Sequence, residues 1–256
     1  MHEMLETARV AARAAAGVLA GARARDIRAK GNPNDLVTEW DLKSEEVIRK
    51  TLEERTPGVA ILGEEGGQSG TGEMRWIVDP IDGTVNFAHG FPIWSIAIGL
   101  EDATGTLVGV VAAPALGWWF EASRGGGARD GSGELLRVST PATLETSILT
   151  TGFPYDRATN PDNNFARWEH MQRVAGACRR LGCASIDLCL VARGWMDGYW
   201  ERRLKAWDIA AGALIVREAG GTVTNMTGGT FDPHAGEVVA TNGAIHDALV
   251  TELQRS

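Results

Sequence analysis

Apolar and polar positions divide this chain into a helical opening, a strand-rich middle and a mixed second half. Leu5, Ala8, Ala12, Ala15 and Leu19 recur at close to helical spacing, which predicts an amphipathic helix within residues 4–24 that ends near Gly21–Asp26. Thr38 is placed to cap a second helix over 42–54, which Pro57-Gly58 ends. The apolar run 59–62 predicts a short buried strand that delivers Gly63-Glu64-Glu65, and residues 66–72 predict a mobile loop of Gly, Ser, Thr and Gln. A further strand ends at Asp79, and strands follow over 93–100, 106–113 and 118–123. The turn residues 102–105 favour antiparallel neighbours for the first two of these, and the glycines of 125–127 and 131–133 are hairpin punctuation.

The second half predicts helices near 162–177, 186–193, 209–219 and 244–253, with strands at 196–200, 222–224 and 238–241. Gly220-Gly221 closes the third of these helices. Strands and helices alternate without a βαβ rhythm, so layered sheets and helices are expected instead of a doubly wound sheet.

Composition narrows the choice of partner more than the choice of fold. With 256 residues and 44% apolar content, the chain can bury a large core as one domain or two tightly packed halves. Its 25 basic and 33 acidic residues leave a net charge of −8 without a basic run, which argues against nucleic acid. The apolar stretch 107–116 is too short to span a membrane as a helix. Cys178, Cys183 and Cys189 are odd in number and lack C-x-x-C spacing, as expected of buried free thiols in a reducing cytoplasm.

Candidate chemistry centres on Trp76-Ile77-Val78-Asp79-Pro80-Ile81-Asp82-Gly83-Thr84-Val85-Asn86-Phe87. An apolar strand delivers one carboxylate, Pro80 turns the chain, and a second carboxylate follows. Gly83 and Thr84 then open a short helix whose N–H groups can meet a phosphate. Two carboxylates so placed suit a hard cation such as Mg2+, although an acidic turn with a helix cap has the same composition. Glu64 has two readings, metal ligand and surface loop residue, and Glu65 fits the surface role better. Asp208 stands in the first turn of an apolar helix, where the helix dipole alone favours an acid. Burial of that helix adds a need for a compensating cation.

The run at 79–87 resembles the first signature of the inositol monophosphatase family, and Trp207-Asp208 through Gly220-Gly221 resembles its second. Gly63-Glu64-Glu65 and Asp35-Leu36-Val37-Thr38 with Asp41 are similar to two further blocks of that family, in the same order. The resemblance implies a layered αβαβα sandwich, shared with fructose bisphosphatase, as one catalytic domain. Its metal-binding half would cover residues 1–145 and its closely packed second half residues 146–256. It implies one Mg2+ on Glu64, Asp79 and the Ile81 carbonyl, a second on Asp79, Asp82 and Asp208, and a weaker third near Glu64. Thr84, bonded to Asp41, would position the nucleophilic water alongside Glu64, and the Gly83 and Thr84 amides would hold the phosphate.

On the substrate side the resemblance implies Glu201 and Asp82 as hydroxyl acceptors, with Gly182, Cys183 and Ala184 lining the pocket. Lys30 matches a lysine of a loop near the metals; a solvated surface lysine is the alternative. Arg202, Arg203 and Lys205 either attract an anion or face water, and His89 is expected to be structural. The expected reaction is direct hydrolysis of inositol 1-phosphate, inhibited by lithium, in a homodimer. Fructose 1,6-bisphosphate, histidinol phosphate, NADP or a nucleotide 3′-phosphate are the substrate alternatives. A binding or regulatory protein on the same scaffold is the alternative of another class.

Overall fold

A computed structural model describes residues 1–255. The first helix, α1 (His2–Leu19), buries Ala8, Ala11, Ala12, Ala15 and Leu19 along one stripe, as the periodicity requires. Small residues on that stripe let it lie against α2 (Glu39–Arg55). Thr38 caps α2: its hydroxyl accepts from the Trp40 amide at 3.1 Å, and Asp41 accepts from the Thr38 amide at 2.8 Å. Between the helices lies a hairpin absent from the sequence reading, β1 (Ile27–Ala29) with β2 (Leu36–Thr38). All three residues of β1 are exposed, so it leaves no apolar alternation to detect.

A seven-stranded sheet follows: β3 (Ala60–Gly63), β4 (Gly67–Ser69), β5 (Arg75–Asp82), β6 (Ser95–Asp102), β7 (Gly105–Ala113), β8 (Trp118–Ser123) and β9 (Gly127–Asp130). Its order is β4-β3-β5-β6-β7-β8-β9, antiparallel except for β3 with β5. The short helix α3 (Thr84–Ala88) follows β5. The loop expected at 66–72 instead contains β4, held by Arg49, which donates to the Gly67 carbonyl and to Ser69 Oγ.

The second sheet has order β11-β10-β12-β14-β13, from β10 (Ile148–Thr151), β11 (Ala177–Arg179), β12 (Gly198–Arg202), β13 (Thr222–Thr224) and β14 (Glu237–Thr241). Its helices are α4 (Phe165–Val174), α5 (Ala184–Ala192), α6 (Ala206–Glu218) and α7 (His246–Gln254). Strand β12 sits two residues later than the sequence pattern suggests, which brings Glu201 inside a strand instead of after one.

Five layers result. Helices α1 and α2 cover one face of the large sheet, and α5 and α6 fill the space between the two sheets. Helices α4 and α7 cover the far face of the small sheet. This is the αβαβα sandwich expected from the resemblance. Helix α6 reaches the sheet because the facing residues are small: a Cβ on Gly109 would lie 2.7 Å from the Ala211 carbonyl oxygen. That close seating carries Asp208, in the first turn of α6, to the ends of β3 and β5.

Candidate active site

Strand β5 is buried from Trp76 through Asp82. Asp79 pairs with Ala97 on β6 and Asp82 with Ser95, so three steps on one strand span two on its neighbour. In a regular strand, residues three apart face opposite sides; the extra residue restores a common side. Pro80 fits this bulge because it has no N–H to lose. Gly83 follows at φ +88°, and a Cβ there would sit 3.0 Å from the Ile93 carbonyl oxygen, so glycine is required twice over.

Four acids share the region. Asp79 Oδ1 accepts from the Ile81 amide at 3.0 Å. Burial foremost, then Glu64, Asp82 and Asp208, holds the Asp79 carboxyl well above the usual range. Asp208 is pushed the same way by burial, then by Asp82 and Glu64. Burial raises Asp82 as well, opposed by hydrogen bonds from Ser185. Glu64 rises to about 7, driven by burial and opposed by Lys30. Asp79 and Asp208 are thus raised by acidic neighbours as well as by burial, because the charges are close and poorly compensated.

Among the described residues, Lys30 is the one cationic side chain bonded to any of the four, at 2.8 Å from Glu64. It also pairs with Glu65, whose side chain is 9% exposed. Neither the solvated reading of Lys30 nor the surface reading of Glu65 holds. The Glu65 and Gly66 amides donate to Glu45 at 2.8 Å each, which fixes the turn that presents Glu64. Gly63 leaves room for this carboxylate, since a Cβ there would meet Glu45 Oε1 at 2.4 Å.

An all-oxygen donor set short of positive charge suits a hard divalent cation. Among the described residues, no three Asp, Glu, His or Cys side chains stand in a ready-made ion-holding cluster. Each acid is instead drawn to a local partner. Glu64 turns to Lys30, Asp82 Oδ2 to the Ser185 amide and hydroxyl at 2.6 and 2.5 Å, and Asp208 Oδ2 to the Lys205 amide at 2.6 Å.

Thr84 Oγ1 lies 3.1 Å from Asp41 Oδ1 and 3.0 Å from the Ile81 carbonyl oxygen. Asp41 is itself held by Thr38, whose hydroxyl donates to Oδ2 at 2.5 Å. Lys30, Glu64, Asp82, Gly83, Gly182, Cys183, Ala184, Glu201 and Asp208 all line one cavity of about 240 Å3. Glu201 accepts from the Tyr199 hydroxyl at 2.7 Å, and burial raises it to about 7. Gly152 makes room for it: a Cβ there would lie 2.0 Å from Glu201 Oε2. The Cys183 thiol lies 3.2 Å from Asp82 Oδ2.

Sequence reasoning missed Ser185 and Glu45. Ser185 stood in plain view, a hydroxyl in the first turn of an apolar helix. Glu45 gave no signal, because it is one of several acids on a charged helix. Of the three cations after Glu201, Arg202 pairs with Asp162 at 2.7 Å and Arg203 with Asp156 at 2.8 Å. Lys205 lines the cavity. His89 is exposed and lines a neighbouring cavity instead of supporting the fold. A larger surface groove of about 680 Å3 beside Trp118, Trp119 and Trp195 holds none of the four acids.

The description "Inositol monophosphatase family" matches residues 1–256. The chain belongs to the inositol monophosphatase family. An inositol-1-monophosphatase of Synechocystis is 43% identical over 229 residues, 89% of this chain and 79% of that protein. A protein of Pasteurella multocida named Nus factor SuhB is 39% identical, covering 99% of this chain and 97% of its own. The solved inositol monophosphatase of Anabaena superposes with a TM-score of 0.90 at 38% identity, covering 98% of this chain and 95% of that one. Inositol monophosphatases are phosphoric monoester hydrolases that act on small phosphorylated substrates and generally depend on metal, and this chain is such a hydrolase. No helix among the described residues is long and apolar enough to cross a membrane.

Proposed function

We propose that this chain hydrolyses a small phosphorylated polyol, inositol 1-phosphate foremost, with two Mg2+ ions and room for a weaker third near Glu64. The observation that carries the reading is the burial of Glu64, Asp79, Asp82 and Asp208, four acids with one bonded ammonium among them, which raises all four and leaves Asp79 and Asp208 raised further by their acidic neighbours. Glu64, Asp79 and the Ile81 carbonyl would hold one ion, and Asp79, Asp82 and Asp208 would hold the other. When bound, Mg2+ supplies Lewis-acid charge that lowers the pKa of water and neutralises phosphate oxygens.

The protein groups do the rest. Glu64 and Thr84 orient the attacking water, and Asp41 fixes the Thr84 hydroxyl in turn. The Gly83 and Thr84 amides receive the phosphate at the start of α3. Glu201, braced by Tyr199, accepts a hydroxyl of the polyol, and Asp82 reaches a second. Gly182, Cys183 and Ala184 form the adjoining wall. The reaction is an in-line displacement by water with no phosphoenzyme. Lithium inhibits by taking a Mg2+ position, and the protein works as a cytoplasmic homodimer.

A phosphate-release screen with and without Mg2+ tests the reading, across inositol 1-phosphate, fructose 1,6-bisphosphate, histidinol phosphate, a nucleotide 3′-phosphate and NADP. Mg2+-dependent release, fast on inositol 1-phosphate, is expected; release indifferent to Mg2+ would refute it. The name Nus factor SuhB carried by relatives motivates a second reading, a binding role on the same scaffold. A stoichiometric partner recovered independently of Mg2+ would support that role.

A further inference from the structure

Helix α5 is apolar along its length apart from Ser185 and Asp187, and all of its residues are buried. A hydroxyl in such a helix costs free energy unless it is bonded, and that of Ser185 is bonded twice. Its Oγ donates to Asp82 Oδ2 at 2.5 Å and lies 2.6 Å from Ser95 Oγ. Its amide, one of the N–H groups that a helix start leaves free, donates to the same Asp82 oxygen at 2.6 Å. The Cys183 thiol, on the residue that caps α5, reaches that oxygen too, at 3.2 Å. Three donors thus converge on Asp82 Oδ2. Asp79 meets only the Ile81 amide and Asp208 only the Lys205 amide, one donor each among the described residues.

The direction of the hydroxyl bonds is forced once Asp82 is ionised. A carboxylate only accepts, so the Ser185 proton goes to Asp82, and Ser185 Oγ can enter the 2.6 Å contact with Ser95 only as acceptor. Ser95 is therefore the donor. It is also the β6 residue that pairs with Asp82 beyond the bulge, so β5, β6 and α5 contribute one group each to the chain Ser95–Ser185–Asp82. Both serines are 0% exposed. Hydrogen bonds to a charged acceptor away from water are strong, and a chain of them polarises along its length.

We propose that Ser95 and Ser185 form a hydroxyl relay that fixes Asp82 through Oδ2 and thereby sets how tightly the ion held with Asp79 and Asp208 binds. The proposal rests on the two-ion reading above and deepens it by two positioning residues, which act through Asp82. A carboxylate already held in one orientation loses less freedom when it takes a cation. Hydrogen-bond partners behind a metal ligand carry a large share of metal affinity for this reason.

The test uses Mn2+ as the probe. Free Mn2+ is counted by electron paramagnetic resonance during titration of the full chain, which gives the affinity of each position without turnover. Ser185→Ala should weaken one of the two tighter positions by about 10–100-fold and leave the other nearly unchanged. Ser95→Ala should weaken the same position by about two- to tenfold. Because the two hydroxyls act in series, Ser95→Ala should add little in the Ser185→Ala background. Both changes remove a hydroxyl without adding volume, and the Tm of the metal-free variants checks the fold. Losses that simply add in the double variant, or that fall equally on both positions, overturn the relay. A lowered Tm with unchanged Mn2+ affinity would assign the hydroxyls to stability alone and overturn it as well. Two ions in the wild type with unchanged affinities in Ser185→Ala would sink the relay and spare the two-ion reading. A wild type that binds no Mn2+ would remove that reading and the relay with it.

Discussion

Asp82 shows how much one side chain is asked to do. Its Oδ2 takes hydrogen bonds from the Ser185 amide and hydroxyl and approaches the Cys183 thiol, which leaves Oδ1 for a cation. Asp82→Asn should lower kcat on inositol 1-phosphate on the order of 10²–10³-fold, by removing charge that positions a transition-state stabiliser. Its Tm should hold or rise, because one repelling charge leaves a crowded site; substantial residual activity would reject the two-ion assignment. Gly152 sets a second test. Gly152→Ala places a methyl where Glu201 now lies, so KM for inositol 1-phosphate should rise while phosphate chemistry survives. An unchanged KM would remove Glu201 from substrate binding. The places of Asp79, Asp82, Glu64 and Asp208 at strand ends and a helix start were legible locally, whereas their shared role was legible only through the family resemblance. Ser185 acting on Asp82 was not, because that pairing depends on residues 103 positions apart.

At the scale of elements, what was legible followed the strength of local pattern. Helix α1, the Thr38 cap, strands β6 to β8 and helix α6 all carry a periodicity or a capping residue, and all stand close to the predicted positions. Strands β1 and β4 are short and exposed, and β2 is only three residues long, so no apolar alternation marks them. Strand β11 was absorbed into a helix that ends sooner, at Val174. Helix α6 depends on small residues on both faces. A Cβ on Gly212 would lie 2.7 Å from Leu188 Cβ on α5, so Gly212→Ala should cost about 1–3 kcal/mol by overpacking. Chemical denaturation would measure this; a neutral result would show that α5 and α6 can separate freely.

At the scale of the whole molecule, layers from distant parts of the chain bring carboxylates together, and the fold is less stable for it until cations arrive. Burial raises Glu201 to about 7 and pushes Asp187 well up, and Glu64 rises to about 7. Acids whose folded pKa exceeds the unfolded value hold protons in the fold that the unfolded chain has released. Stability from them is therefore full at low pH and lost as pH climbs from about 4.5 to about 7. Metal-free protein should show a Tm that falls over that window. Mg2+ should raise Tm most at the upper end, where the acids are charged. A Tm that rises with pH in chelator would contradict these assignments.

On the proposed reading, Glu64, Asp79, Asp82 and Asp208 would together hold divalent ions beside the Gly83 amide. Anomalous diffraction from crystals soaked in Mn2+ tests it most directly. Two peaks sharing Asp79, one toward Glu64 and the Ile81 carbonyl and one toward Asp82 and Asp208, are the predicted result. Crystals of active protein with manganese bound elsewhere and none at Asp79 would contradict it.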